Sequence, residues 1–172
     1  ITLTARGKDG DAPIPLAGFP MKAMDGHMPK LVAAGHRVVI CDQVEDPKTA
    51  KGVVKRDVTR IITPGTVLED SLLEPRRENY ILSLVPLKDT YGLAWIELTT
   101  GEFQVCNAKE HELSTLLTRI SPAEVLVQDT SDERKKSLVT DIERRHQTSI
   151  SIAEDWTFTP KQSLKMLKDH FK

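Results

Sequence analysis

The sequence contains little cysteine and lacks any long apolar run. Its two cysteines, Cys41 and Cys106, stand 65 residues apart, and neither belongs to a Cys-x-x-Cys pair. This spacing excludes a zinc ribbon and a disulfide framework, and it favours a reducing, cytoplasmic setting. The five histidines have no metal-ligand spacing, so we predict no metal site. No apolar run approaches the roughly 20 residues of a membrane span, which predicts a chain without membrane contact.

Motifs for common enzyme chemistries are also missing. The chain has no Gly-x-x-x-x-Gly-Lys-Ser/Thr loop to cradle ATP phosphates and no Gly-x-Ser-x-Gly nucleophile elbow. Aromatic residues make up only 5% of the sequence, which does not favour stacking on single-stranded nucleic acid. These absences predict that the chain itself is not an enzyme and binds neither ATP nor another cofactor.

The charge is unevenly distributed along the 172 residues, although the net charge is only −1. Residues 1–67 hold ten Lys/Arg and seven Asp/Glu, whereas residues 68–172 hold fourteen and eighteen. The first part is therefore +3 and the second −4, an asymmetry that indicates two parts with different partners.

Hydrophobic periodicity predicts an α/β fold in two units. The first has strands at 1–6, 36–44 and 53–63 and a helix at 25–35, with "GKDGDAPIP" predicted as a loop. In the second, three antiparallel strands are followed by alternating helices and strands, which favours a mixed five-stranded sheet like that of ribonuclease H-like proteins. Its last helix, 160–171, should turn Leu164, Leu167 and Phe171 towards the sheet. Both ends of the sequence have the pattern of an element's interior, so we expect an internal fragment of a longer chain.

The stretch "ICDQVEDPKTAKGVVKRDVTR" begins as a buried strand and continues into an acidic corner and then a basic strip. The acidic corner consists of Asp42, Glu45 and Asp46, and the basic strip of Lys48, Lys51, Lys55, Arg56 and Arg60. Strict alternation in the last strand would place Arg56 and Arg60 on one face. Long cations beside Gly-rich loops suit phosphate oxygens, and the scarcity of aromatic residues favours duplex backbone over single strands. The alternative is that the strip is simply a solvated face.

Several segments resemble the bacterial MutS family of DNA mismatch repair proteins. They are "ITLTARG", "PIPLAGFP", "KLVAAGHRVVICDQVEDPKTAKGVVKRDVTRIITPGT", "RRENY", "GLAWIELTTGEF" and "SPAEVLV", and the similarity is weaker after about residue 130. The resemblance implies that residues 1–63 are the latter part of a truncated mismatch-recognition domain, 64–78 a linker and 79–172 most of a connector domain. The chain departs from the family pattern at Met21 and Lys22, where Tyr-His is usual, and at Asp42, where Glu is usual.

The resemblance also implies a function and its residues. Arg6, Gln43 and Arg56 fall at positions that face DNA in the family, and we add Lys51 for its charge beside Gly52. The implied partners are double-stranded DNA with mispairs, the repair factor MutL, and a second copy of the protein in a homodimer. ATP and Mg are implied for the longer protein. The connector should relay to downstream repair factors, and we place a partner-binding site at Lys165 and Met166 on the last helix.

Two other functions compete with this interpretation. Ribonuclease H-like nucleases hold two metal ions with strand carboxylates, and Glu97 and Asp129 stand where two such carboxylates could lie. The second alternative is a protein-interaction module in which the connector acts alone.

Overall fold

The chain folds into two α/β units, here called the first unit (residues 1–67) and the second unit (residues 78–171). The structure is a computed structural model and describes residues 1–10, 12–50, 52–67 and 78–171, without the side chains of Arg6, Lys8 and Asp9. The elements of the first unit are β1 (Thr2–Asp9), β2 (Ala12–Gly18), α1 (Met24–Ala33), β3 (Val38–Gln43) and β4 (Arg56–Ile62). Those of the second are β5 (Tyr80–Pro86), β6 (Tyr91–Glu97), β7 (Glu102–Ala108), α2 (Glu110–Ile120), β8 (Glu124–Gln128), α3 (Glu133–His146), β9 (Ser149–Ala153) and α4 (Pro160–His170).

The first unit begins with a β-hairpin where the sequence predicts a loop. Strands β1 and β2 pair antiparallel from Thr2 opposite Gly18 to Asp9 opposite Ala12, so most of "GKDGDAPIP" is strand. The loop prediction was wrong because Gly and Pro also occur in exposed two-stranded ribbons, where a bulge or a missing N–H costs little. The register shifts between Ala5 and Lys8, and Gly7 takes up the bend with a φ of 71°.

The remainder of the first unit packs one helix on a second antiparallel ribbon, formed by β3 and β4 and called here the β3–β4 ribbon. Met28 and Val32 of α1 are buried against Ile62, the last residue of β4, and against Val67. Spacing by four places the two α1 side chains on one face of the helix. This small cluster is the core of the first unit among the described residues.

The second unit contains the five-stranded mixed sheet that the sequence predicts. The strand order is β7-β6-β5-β8-β9, in which β7, β6 and β5 are antiparallel and β5, β8 and β9 are parallel. Helices α2 and α3 cover one face, where Leu117 and Ile142 lie in a cluster with Leu82, Leu84 and Trp95. Burying this face gives the second unit a core much larger than that of the first.

The last helix departs from its predicted packing. Leu164, Leu167 and Phe171 are exposed, although their spacing led us to predict burial against the sheet. Phe171 stacks on Phe103 of β7 with ring centroids 6.3 Å apart. Periodicity shows which side of α4 is apolar, but it does not show whether that side packs closely on the sheet. Within the described residues, no helix has the length and apolar character needed to cross a membrane.

Candidate nucleic-acid interface

The acidic corner after β3 orders the loop that leads to β4. Glu45 Oε1 accepts a hydrogen bond from the backbone N–H of Lys55 at 2.6 Å, and Asp46 Oδ1 accepts one from the N–H of Lys48 at 2.9 Å. The N–H of Val44 also donates to the Lys55 carbonyl at 3.0 Å, which closes the base of the loop. These two carboxylates therefore contact local backbone, as expected for acidic residues in turns.

A β-bulge in the β3–β4 ribbon separates two arginines that alternation had placed together. Ile40 pairs with Arg60, but the next residue, Cys41, pairs with Val58, so Thr59 is the extra residue. The Thr59 hydroxyl donates to Asp42 Oδ2 at 2.6 Å. Because cross-strand partners share a face, the bulge leaves Arg56 and Arg60 on opposite faces, and the prediction of a shared face was wrong. An alternating pattern carries no signal for one inserted residue.

Two of the predicted DNA-facing residues, Gln43 and Arg56, are direct cross-strand partners at the end of the ribbon. Both side chains are exposed. The same face continues with the pairs Cys41–Val58 and Val39–Ile61, whose residues are also exposed. The opposite face packs on α1. The ribbon thus offers an open surface that is apolar in the middle and carries an amide and a guanidinium at one end.

Arg56 has no carboxylate partner among the described residues, in contrast to Arg144 and Arg145 of the second unit. On α3, Arg144 and Arg145 both contact Asp141, at 3.0 and 3.3 Å. A guanidinium that is exposed and unpaired can offer its planar donors to an external anion without first breaking an ion pair.

The other two predicted DNA-facing residues are not brought to this pair by the described structure. Arg6 lies in β1, within the register shift of the separate β1–β2 hairpin. Lys51 lies outside the described residues, next to Gly52, whose φ of 105° favours glycine. Both remain predictions.

The carboxylates considered for a nuclease lie at opposite ends of the sheet. Glu97 pairs with Tyr80 at the start of β5, whereas Asp129 follows β8, where Val127 pairs with Leu84. This register separates them by roughly 20 Å along the strands, at about 3.3 Å per residue. Two-metal catalysis needs ions about 4 Å apart, so these residues cannot hold such a pair. Among the described residues, no group of three metal-ligating side chains comes together.

Glu97 instead has a structural role in the turn between β6 and β7. Its carboxylate is buried and accepts hydrogen bonds from the Thr99 hydroxyl at 2.7 Å and the Thr100 N–H at 2.6 Å. Burial alone would raise the pKa of Glu97, but the hydrogen bonds from Thr100 and Thr99 outweigh it and hold the pKa at about 2. The nuclease interpretation was therefore wrong on geometry and on the role of this residue.

The predicted partner site on α4 is exposed but does not stand out from its surroundings. Lys165 and Met166 are both exposed, as are the apolar residues on the other side of the helix. Exposure therefore does not single out one face of α4, and the partner site stays a prediction.

Fold and site together define the class of the protein, a two-unit α/β protein with an exposed two-stranded ribbon on the small unit and a helix-covered five-stranded sheet in the other. Comparison with known families agrees with this class. MutS domain I matches residues 1–71, and MutS domain II matches residues 79–172. The chain belongs to the MutS family.

Curated relatives named DNA mismatch repair protein MutS match the chain closely. The protein from Chlorobaculum tepidum is 38% identical over 176 residues, and that from Protochlamydia amoebophila is 40% identical over 173. Both alignments cover 100% of this chain and 20% of the relative. The Nitrobacter winogradskyi protein is 47% identical over 140 residues, which is 76% of this chain and 16% of the relative. The chain therefore spans about a fifth of the length of these relatives.

Proposed function

We propose that the chain is the DNA-contacting and connector portion of a cytoplasmic mismatch-recognition protein in DNA mismatch repair. The observation that carries this proposal is the exposed Gln43–Arg56 pair on the β3–β4 ribbon, in the unit that matches MutS domain I. Relatives of the whole chain are named mismatch repair proteins, which supports the same role.

The contact is made with the sugar–phosphate backbone of a duplex. The Arg56 guanidinium donates two parallel hydrogen bonds to phosphate oxygens, and the Gln43 amide donates to a neighbouring phosphate or sugar oxygen. Such contacts fix the register of the protein on DNA without reading base sequence. Arg6, in the hairpin, and Lys51, next to Gly52 in the sequence, add further contacts.

The remaining partners belong to the longer protein that would carry this chain. By family membership, we propose that this protein binds ATP and Mg outside the two units, acts as a homodimer and hydrolyses ATP when bound to DNA. Its connector then recruits MutL, with Lys165 and Met166 on α4 as the contact. The chain itself contributes binding and relay rather than a chemical step.

The DNA contact is tested by titrating a labelled duplex with the chain at several salt concentrations. Arg56→Ala should weaken binding by roughly 3- to 10-fold at low salt and lower the log–log salt slope by about 0.9, the loss of one phosphate contact. Arg134→Ala is the matched control, because Arg134 is an exposed arginine on α3 of the second unit. Equal losses in the two variants would contradict the assignment of DNA contact to the ribbon.

A further inference from the structure

The second unit buries a carboxylate whose donors come from the first unit. Glu124, in β8, is only 2% exposed. Its Oε2 accepts hydrogen bonds from the Thr63 hydroxyl and from the Gly65 backbone N–H, the latter at 2.9 Å. A carboxylate taken out of water is costly unless hydrogen bonds compensate it. The described structure compensates Glu124 from a segment about sixty residues earlier in the chain.

That segment is the Thr63–Thr66 turn, which closes on itself. The Thr63 N–H donates to Thr66 Oγ1 at 2.9 Å, and the two hydroxyl oxygens are 2.8 Å apart. A carboxylate can only accept, so the single Thr63 hydroxyl proton points at Glu124 and the Thr66 hydroxyl donates to Thr63. The Thr66 proton has two acceptors on Thr63, Oγ1 at 2.8 Å and the carbonyl oxygen at 3.4 Å, and the turn presents two donors to one Glu124 oxygen.

Gly65 is required at the contact because of space. A Cβ added there would lie 2.8 Å from Glu124 Cβ and 3.0 Å from Ile81 Cβ. Both atoms belong to paired residues of β8 and β5, which cannot move aside without distorting the sheet. The backbone of the turn therefore sits directly on the second unit's sheet.

The same turn is continuous with the ribbon that carries Arg56. Thr63 follows Ile62, the last residue of β4, and both Ile62 and Val67 are buried in the core of the first unit. A further hydrogen bond joins the Asn79 side-chain amide to the Pro64 carbonyl at 3.0 Å. The turn is thus held by the first unit at its ends and by the second unit in its middle.

We propose that Glu124 is a positioning residue, which locks the end of β4 to the sheet of the second unit and so fixes the orientation of the Gln43–Arg56 pair relative to the connector. The relevance of this lock to DNA rests on the proposed function. The lock itself rests on the contacts between Glu124 and the turn. A duplex bound at Arg56 would thereby be connected rigidly, through β4 and the Thr63–Thr66 turn, to the sheet of the second unit.

The test measures a distance between the units by pulsed electron spin resonance. One spin label is attached to Cys41, which is exposed on β3, and the other to position 88 in a Lys88→Cys, Cys106→Ala background, because Lys88 lies in an exposed turn of the second unit. Thr63→Val removes the hydroxyl donor at nearly constant volume, and Thr63→Ser restores it. Gly65→Ala leaves the carboxylate in place but pushes the turn away from the sheet.

Thr63→Val and Gly65→Ala should each widen the distance distribution at least twofold, whereas Thr63→Ser should keep the parent width. Glu97→Gln is the control, since it alters a buried carboxylate of the same sheet whose donors are local. Melting followed by tryptophan fluorescence shows whether the second unit stays folded, because the two tryptophans, Trp95 and Trp156, both lie in this unit. An unchanged width in folded Thr63→Val would overturn the lock even if Gly65→Ala fails to fold.

Duplex titration of the unlabelled chain separates this proposal from the proposed function. If the parent chain binds no duplex, the proposed function fails, while the distance measurements still decide on the lock. If the parent binds, Thr63→Val should retain its affinity within about twofold, because the Gln43–Arg56 pair remains intact. A loss as large as that of Arg56→Ala would contradict a positioning role for the turn.

Discussion

The two units bury their apolar residues to very different extents. In the second unit, twelve of the described residues form one buried cluster between the sheet and its helices. In the first unit, the corresponding cluster has four, and the outer face of the β3–β4 ribbon leaves Val39, Val58 and Ile61 exposed. Buried apolar area is the main source of folding free energy, so the second unit should supply most of the stability of the chain.

The two units also differ in how their charged side chains are paired. Three cations of α3 pair with acids of the same helix: Lys136 contacts Glu133, and Arg144 and Arg145 contact Asp141. In the ribbon, the acids of the corner contact backbone, and Arg56 has no acidic partner among the described residues. This chain therefore separates stability from its proposed DNA contact. The second unit holds the larger buried core, whereas the first unit leaves Arg56 and one face of the β3–β4 ribbon exposed.

The largest expected effect is on the core of the second unit. Leu82 is fully buried, so Leu82→Ala should lower the free energy of unfolding by about 3 to 4 kcal/mol through lost burial and a residual cavity. Val58→Ala, at a half-exposed position of the ribbon, should cost less than about 1 kcal/mol. Urea unfolding followed by circular dichroism measures both. Similar losses would show that the two units contribute equally to stability.

A somewhat smaller effect is expected from pH through Glu97. Its pKa is depressed from 4.5 to about 2 in the folded chain, so ionised Glu97 stabilises the fold above pH 4.5 and this contribution is lost as the pH falls towards 2. The shift corresponds to about 3 kcal/mol at neutral pH. Glu97→Gln should therefore have a lower free energy of unfolding than the parent chain at pH 7. Between pH 5 and 2 this free energy should fall less steeply in the variant than in the parent.

Glu143→Gln is the control for this measurement, because Glu143 is an exposed carboxylate on α3 of the same unit. It should follow the pH profile of the parent chain. A parallel profile for Glu97→Gln as well would mean that Glu97 does not stabilise the turn between β6 and β7 by its charge.

The smallest effect should come from the ion pairs on α3. Asp141 contacts two arginines but is itself 44% exposed, so Asp141→Asn should cost only about 0.5 kcal/mol. The cost should shrink further in 0.5 to 1 M salt, where screening is strong. Thermal melts at low and high salt test this, and a loss above about 2 kcal/mol would mean that charge pairing, rather than the buried cluster, stabilises the second unit.

Local sequence patterns determined the helices and strands of the second unit. Helix α2 occupies Glu110–Ile120, where the buried Leu113, Leu117 and Ile120 recur at helical spacing, and Glu112 accepts a hydrogen bond from the Lys109 N–H at 2.8 Å. The three antiparallel strands and the alternation that follows also predicted the mixed sheet. These features depend on residues a few positions apart, which a sequence displays directly.

Only the tertiary structure decided the features that depend on distant residues. The single extra residue at Thr59 turns Arg60 away from Arg56, and alternation cannot reveal it. Glu124 begins a largely apolar strand, and its carboxylate can be buried there because Thr63 and Gly65 donate hydrogen bonds to it. These donors lie about sixty residues earlier, so the local sequence does not show them. The distance of α4 from the sheet was equally invisible in its periodicity. Burial and hydrogen bonding of a polar group depend on what the whole chain places beside it, and no local pattern contains that information.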